Sequence, residues 1–149
     1  MNKNRFRHLV ALILMMCCTL GYAQKFEFDG LEYEVIDESN RYVEVFEGAD
    51  TKTVKIPSTV TIDGVKYTVT SIGERAFGDC FSLTSITIPS SVTSIGEKAF
   101  MICKNLTSVN IPSSVTSIRE KAFWACESLT SVNIPSSVTS IGEKAFLFC

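Results

Sequence analysis

From residue 77 onward the sequence repeats every 23 residues. "IPSSVTSIGEKAF" begins at Ile88 and Ile134, with "IPSSVTSIREKAF" at Ile111 between them. Leu83, Leu106 and Leu129 keep that period, as do Phe77, Phe100, Phe123 and Phe146, and Cys80, Cys103, Cys126 and Cys149. A unit this short cannot bury its own apolar face, whereas stacked copies bury a continuous one. A fixed period with invariant apolar positions therefore dictates a solenoid. The earliest unit diverges: "IPSTVT" at 56–61 is separated from "SIGERAF" at 71–77 by nine extra residues. Asp63-Gly64, between β-rich flanks, predicts a hairpin near 62–70 that bulges from the first coil.

Within a unit, "LTSVNIP" alternates as a strand does, with Val109 and Ile111 inward and Ser108 and Asn110 outward. Pro57, Pro89, Pro112 and Pro135 lack the N–H that would continue each rung. Four parallel rungs follow, at Val54–Ile56, Ile86–Ile88, Val109–Ile111 and Val132–Ile134, stacked about 4.8 Å apart. Ser94 and Glu97 have capping-box spacing, which predicts a short helical turn over roughly Glu97–Ile102 with Ala99 and Phe100 facing the core. The fold class expected is an α/β repeat solenoid of short parallel strands and short helical turns. Gly96 has Arg119 as its counterpart one unit on, so a positive φ is not required there.

The pattern AFxxCxxLTSIxIPxSVTSIG at this period is similar to the BspA-type leucine-rich repeat, over residues 51–149. The resemblance implies a curved, right-handed stack. It also implies a secreted or surface protein, of host-associated bacteria or some protists, that contacts host matrix or other cells; the expected partner is a host extracellular-matrix or cell-surface protein or glycan.

Ahead of the repeats stand two other segments. Lys3, Arg5, Arg7 and His8 precede an apolar run, Leu9 to Leu20, closed by Gly21-Tyr22-Ala23. This reads as a signal peptide over 1–23, cleaved after Ala23, and its apolar run is shorter than the ~20 residues a spanning helix needs. Residues 24–50 read as an N-terminal cap: a hairpin around Asp29-Gly30, a further strand in "RYVEVFEG", and large side chains at Phe26, Phe28, Tyr33, Tyr42 and Phe46 to cover the first coil. At the other end, Cys149 stands where earlier copies continue with two residues and "LTS". That suggests a fragment of a longer chain, or an open coil on which a second copy can stack. The C-terminal cap is missing in either case.

Cleavage changes the composition that matters. It leaves 126 residues with 11 basic and 16 acidic side chains, net −5, four cysteines, and no histidine. The acidity offers no patch for a phosphate backbone, so nucleic acid is not an expected partner. Without histidine, a Ser-His or Cys-His catalytic pair is excluded, and no glycine-rich phosphate loop is present. No catalytic residue, metal site or cofactor is expected. One cysteine per coil spreads four sulfurs over a line of about 15 Å, too far apart for the ~2.3 Å bonds of a single zinc. Cys80, Cys103, Cys126 and Cys149 read instead as a structural core ladder of buried thiols beside Phe77, Phe100, Phe123 and Phe146, with a disulfide between adjacent coils as the alternative.

Glu74, Glu97, Glu120 and Glu143 form a row beside Arg75, Lys98, Lys121 and Lys144, read as a solvated face of opposed charges. "NLT" at 105–107 has the form of a glycosylation acceptor, but Leu106 holds a core position. What remains for function is surface. Ser85, Thr87, Ser108, Asn110, Ser131 and Asn133 should form a polar sheet on the inner face, where solenoids commonly bind. Trp124, at a position that varies between coils, is either a binding anchor or a local packing residue.

Overall fold

Three ladders of backbone hydrogen bonds tie each coil to the next in the computed structural model, which describes residues 24–149. The signal peptide expected over 1–23 lies outside the described residues. In chain order the strands are β1 (Lys25–Phe28), β2 (Leu31–Asp37), β3 (Tyr42–Glu47), β4 (Thr53–Lys55), β5 (Thr59–Ile62) and β6 (Val65–Ile72). The repeats add β7 (Ser85–Thr87), β8 (Ser94–Ile95), β9 (Ser108–Asn110), β10 (Ser117–Ile118), β11 (Ser131–Asn133) and β12 (Ser140–Ile141). About four coils stack in this way.

The first ladder is the expected one. Strands β4, β7, β9 and β11 pair in parallel, with Val54, Ile86, Val109 and Val132 in register. Each strand begins and ends one residue earlier than the sequence suggested. Ile56, Ile88 and Ile111 therefore follow their strands, yet stay buried. The second ladder was not anticipated: β6, β8, β10 and β12 pair in parallel through Ser71, Ser94, Ser117 and Ser140 and the isoleucine after each.

The helical turn is not formed, and no helix occurs among the described residues. The fold is a β-solenoid, and the α/β reading is corrected. Ser94 lies inside β8, so its backbone pairs with neighbouring coils and caps nothing. Over 98–103 the amides alternate between two kinds of partner. Lys98, Phe100 and Ile102 donate to Glu120, Ala122 and Trp124 of the next coil, at 2.9, 2.7 and 2.8 Å. Ala99, Met101 and Cys103 donate three residues back, to Gly96, Lys98 and Phe100. Lys98 and Ile102 accordingly have φ of 54° and 62°, the sign that a type II turn requires at its third residue. The same sign recurs at Arg75 and Asp79, Lys121 and Ala125, and Lys144 and Phe148. A helix needs every φ near −63°, and a left-handed residue at every fourth position forbids it. This run of turns is the third ladder.

The hairpin inserted in the first coil forms as expected. Ile62 pairs with Val65 across Asp63-Gly64, both with positive φ. Its second strand does more than project: β6 enters the second ladder and pairs in parallel with β3. Strand β3 in turn pairs with β2, and β2 with β1, so the N-terminal strands and the coils share one sheet.

The core runs the length of the stack. Phe77, Phe100, Phe123 and Phe146 lie ring on ring, with centroids 5.2, 5.0 and 5.2 Å apart and planes within 7° of parallel. The first three are fully buried, while Phe146 is half-buried because no coil packs beyond it among the described residues. Leu83 and Leu106 are fully buried and Leu129 is buried. Serine hydroxyls stitch the stack: Ser114 donates to Val92 O and Ser137 to Val115 O. The hydroxyl of Ser91, at the same position one coil earlier, is buried without a partner, and the coil before it carries the hairpin in place of a repeat.

Candidate binding face

The expected binding residues lie on the outer side of the first ladder. Ser85, Ser108 and Ser131 form one row, and Thr87, Asn110 and Asn133 a second, each in register from strand to strand. All are exposed except Ser85, which is half-buried. Strand β4 continues both rows through Thr53 and Lys55, paired with Ser85 and Thr87. Lys55 gives the face one positive end, which the sequence reading omitted although Val54 had marked that rung. The face is fixed from one side by side-chain bonds between coils. Thr84 Oγ1 donates to Lys52 O at 2.8 Å and Thr107 Oγ1 to Thr84 O at 3.2 Å, while Asn105 Nδ2 donates to Phe81 O at 2.7 Å. The amide of the "NLT" asparagine is thus committed to holding two coils together.

Trp124 packs edge-on against Phe148, at 5.7 Å between centroids and 78° between planes, and is half-buried. It lies on the turn ladder, not beside the two rows. The charged rows form as read: Glu97 with Lys98, Glu120 with Lys121 and Glu143 with Lys144. Arg75 departs from them and pairs with Asp79 at 3.7 Å.

All four cysteines among the described residues are free thiols. Cys103 Sγ donates to Phe77 O at 3.0 Å, Cys126 to Phe100 O at 3.1 Å, and Cys149 to Phe123 O at 3.2 Å. Those same carbonyls receive only long bonds, 3.3–3.4 Å, from the Cys80, Cys103 and Cys126 amides. The thiol therefore supplies a second donor to a weakly satisfied buried acceptor. Cys80, Cys103 and Cys126 are buried, but Cys149 is exposed, which corrects the expectation of a fourth buried rung. Burial, followed by the nearby carboxylates of Asp50, Asp79 and Glu47, pushes the Cys80 thiol up to about 11. The neighbouring Cys126 thiol, and then burial, hold Cys103 above the usual thiol range. Alkylation by iodoacetamide at pH 8 should thus modify Cys149 alone in the folded protein and all four cysteines in denaturant. Modification of two or more by intact mass, without denaturant, would contradict the buried ladder.

Strand ladders, stacked phenylalanines and inter-coil thiols all follow one 23-residue period, and that period has relatives. The BspA type leucine rich repeat region matches residues 42–149, in six copies. The chain belongs to the BspA-type leucine-rich repeat family. The match begins within β3, earlier than the repeats visible by eye, in accord with the parallel pairing of β3 and β6. Among solved structures, a leucine-rich repeat protein from Bacteroides ovatus is 38% identical to this BspA-type chain, with a TM-score of 0.74 over 83% of it and 33% of its own length. One from Bacteroides capillosus is 31% identical, with a TM-score of 0.73 over 78% of this chain and 86% of its own. The leucine-rich repeat protein of T. pallidum is 29% identical, with a TM-score of 0.72 over 82% and 55%. The BspA-type chain therefore spans about a third of the first of these and about half of the last. No curated protein matches it.

Proposed function

We propose that this protein is an exported, cell-surface or secreted adhesion module, non-catalytic, that binds a host extracellular-matrix or cell-surface protein or glycan through the face of β4, β7, β9 and β11. The face itself carries the reading: two in-register rows of short hydroxyl and amide side chains on a scaffold tied between coils along one side. Serine and asparagine are side chains that binding loops use for adaptable hydrogen bonding, and a row fixed before contact has little ordering entropy left to lose. Family membership supports a binding role, and the apolar leader read at 9–20 supports export. The test is retention of the protein on a panel of matrix proteins and host glycans at physiological salt, beside a Ser108→Arg/Asn110→Arg double variant. The wild type should be retained by at least one component and the double variant should not. A folded wild type that no component retains sinks the proposal.

A second reading rests on the outer side of the fourth coil. Ile134, Ile141, Leu147 and Phe148 are exposed there, and β11 and β12 each have one unpaired edge among the described residues. A second copy stacking on that side would cover both, since an unpaired edge is a ready template for another strand. Sedimentation over a hundredfold concentration range should then show a dimer, and a strictly monomeric species would remove this reading.

A further inference from the structure

One position breaks the repeat for which the packing gives every reason to be kept. Gly73, Gly96 and Gly142 share it with Arg119. None of these glycines has positive φ, so they are there for space. A Cβ on Gly96 would stand 2.7 Å from the carbonyl carbon and oxygen of Gly73. On Gly142 it would stand 2.3 Å from the Glu120 nitrogen and 2.5 Å from the Arg119 carbonyl carbon. Those neighbours are backbone and cannot swing aside. The third coil nevertheless carries arginine, and its amide bond to the coil before is 3.0 Å, against 2.8 Å for both Gly96 and Gly142. A residue placed against its local packing rule is where a functional role is first to be sought.

Arg119 lines a groove of about 460 Å³ along β10 and β12, with Ser117, Ser140, Ile118 and Ile141. Arg119 is exposed, and among the described residues no carboxylate lies within 4.0 Å of it. Glu97 and Glu120 also line the groove, but each is already engaged by its own lysine, Lys98 and Lys121. Arg119 is the one cation of that lining and has no ion pair among the described residues, while its charge acts on the half-buried Glu44 carboxylate of β3. Ser117 and Ser140 are register partners on adjacent rungs, and among the described residues neither hydroxyl has a hydrogen bond. A planar guanidinium beside two free hydroxyls suits a carboxylate, which it can bind through two parallel N–H···O bonds. Glu44, which has no ion pair among the described residues, adds a negative charge near the same guanidinium and so disfavours a phosphate dianion.

We propose that the Arg119 groove binds a single carboxylate group, carried by an acidic sugar or by a peptide. The site lies on the second ladder, apart from the strand face, and stands or falls independently of it. An NMR titration with sodium glucuronate, N-acetylglycine, inorganic phosphate at pH 8 and glucose tests it. Glucuronate or N-acetylglycine should shift the Ser117, Arg119 and Ser140 amides and the Arg119 Nε–H saturably, and the tighter of the two identifies the source. Phosphate and glucose should bind at least about tenfold more weakly. Arg119→Gly restores the residue of the other coils, so it should keep the folded spectrum and weaken carboxylate binding about tenfold or more; Arg119→Gln, which keeps a side chain, should do the same. Absence of saturable shifts with both carboxylates, their persistence in either variant, or phosphate binding as tightly as they do would overturn the proposal.

Discussion

Phe100→Ala is expected to destabilise the protein by about 3–5 kcal/mol, the range for truncating a buried aromatic. Phe100 is fully buried and stacks on two rings, Phe77 at 5.2 Å and Phe123 at 5.0 Å. The loss thus combines transferred area, a cavity that neighbouring coils cannot collapse without breaking register, and two aromatic contacts of about 0.5–1.5 kcal/mol each. Stability in a stacked array is a sum of coil and interface terms, so removing the central ring weakens the interfaces on both sides. Urea unfolding should show a lower midpoint and, if the halves uncouple, a broader transition. Phe146→Ala, half-buried with one ring neighbour, should lose roughly half as much. Equal losses at the two positions would mean that the rings do not act as a stack.

Gly48→Ala comes second, at about 2–3 kcal/mol, the upper part of the range for overpacking. The added Cβ would lie 2.1 Å from both Cδ1 and Cε1 of Phe77 and 2.9 Å from Cγ. The ring cannot turn away, because Phe77 is fully buried and pinned against Phe100. Gly48 also donates its amide to Ala76 O, so its backbone cannot retreat without losing that bond. Gly64 supplies the contrast. A Cβ there meets nothing within 4 Å, and Gly64→Ala should lose only the ~1–2 kcal/mol of an L-residue at positive φ. Thermal unfolding of the two variants separates the mechanisms, and a Gly48→Ala protein within about 0.5 kcal/mol of wild type would contradict the packing around Phe77.

Period and polarity made much of this fold legible. The spacing of Val109 and Val132 gave the register of the first ladder, and Asp63-Gly64 gave the hairpin, because both depend on local chemistry written at fixed offsets. The second ladder was hidden: Ser94–Ile95 is too short to show the alternation by which a strand is recognised. The turn ladder was obscured by residue type. Lys98 and Ile102 occupy left-handed positions where glycine or asparagine is the ordinary signal, and Ser-x-x-Glu resembled a helix start. What sets these conformations is the carbonyl of the next coil, a partner 22 residues away that no local pattern contains. Of the candidate site, the six strand-face residues were readable from alternation. Lys55 was overlooked at the first rung, and Arg119 was read only as a tolerated substitution, since the crowding that makes it anomalous is three-dimensional.

The surface that engages a partner can be mapped directly by site-specific photo-crosslinking. A photoreactive phenylalanine replaces Asn110 on the strand face in one variant and Lys121 on the turn ladder in another, each irradiated with a component retained in the binding panel. Crosslinks from Asn110 and none from Lys121 are the result predicted for binding through β4, β7, β9 and β11. Crosslinks from Lys121 with Asn110 silent would place the contact on the turns and contradict it.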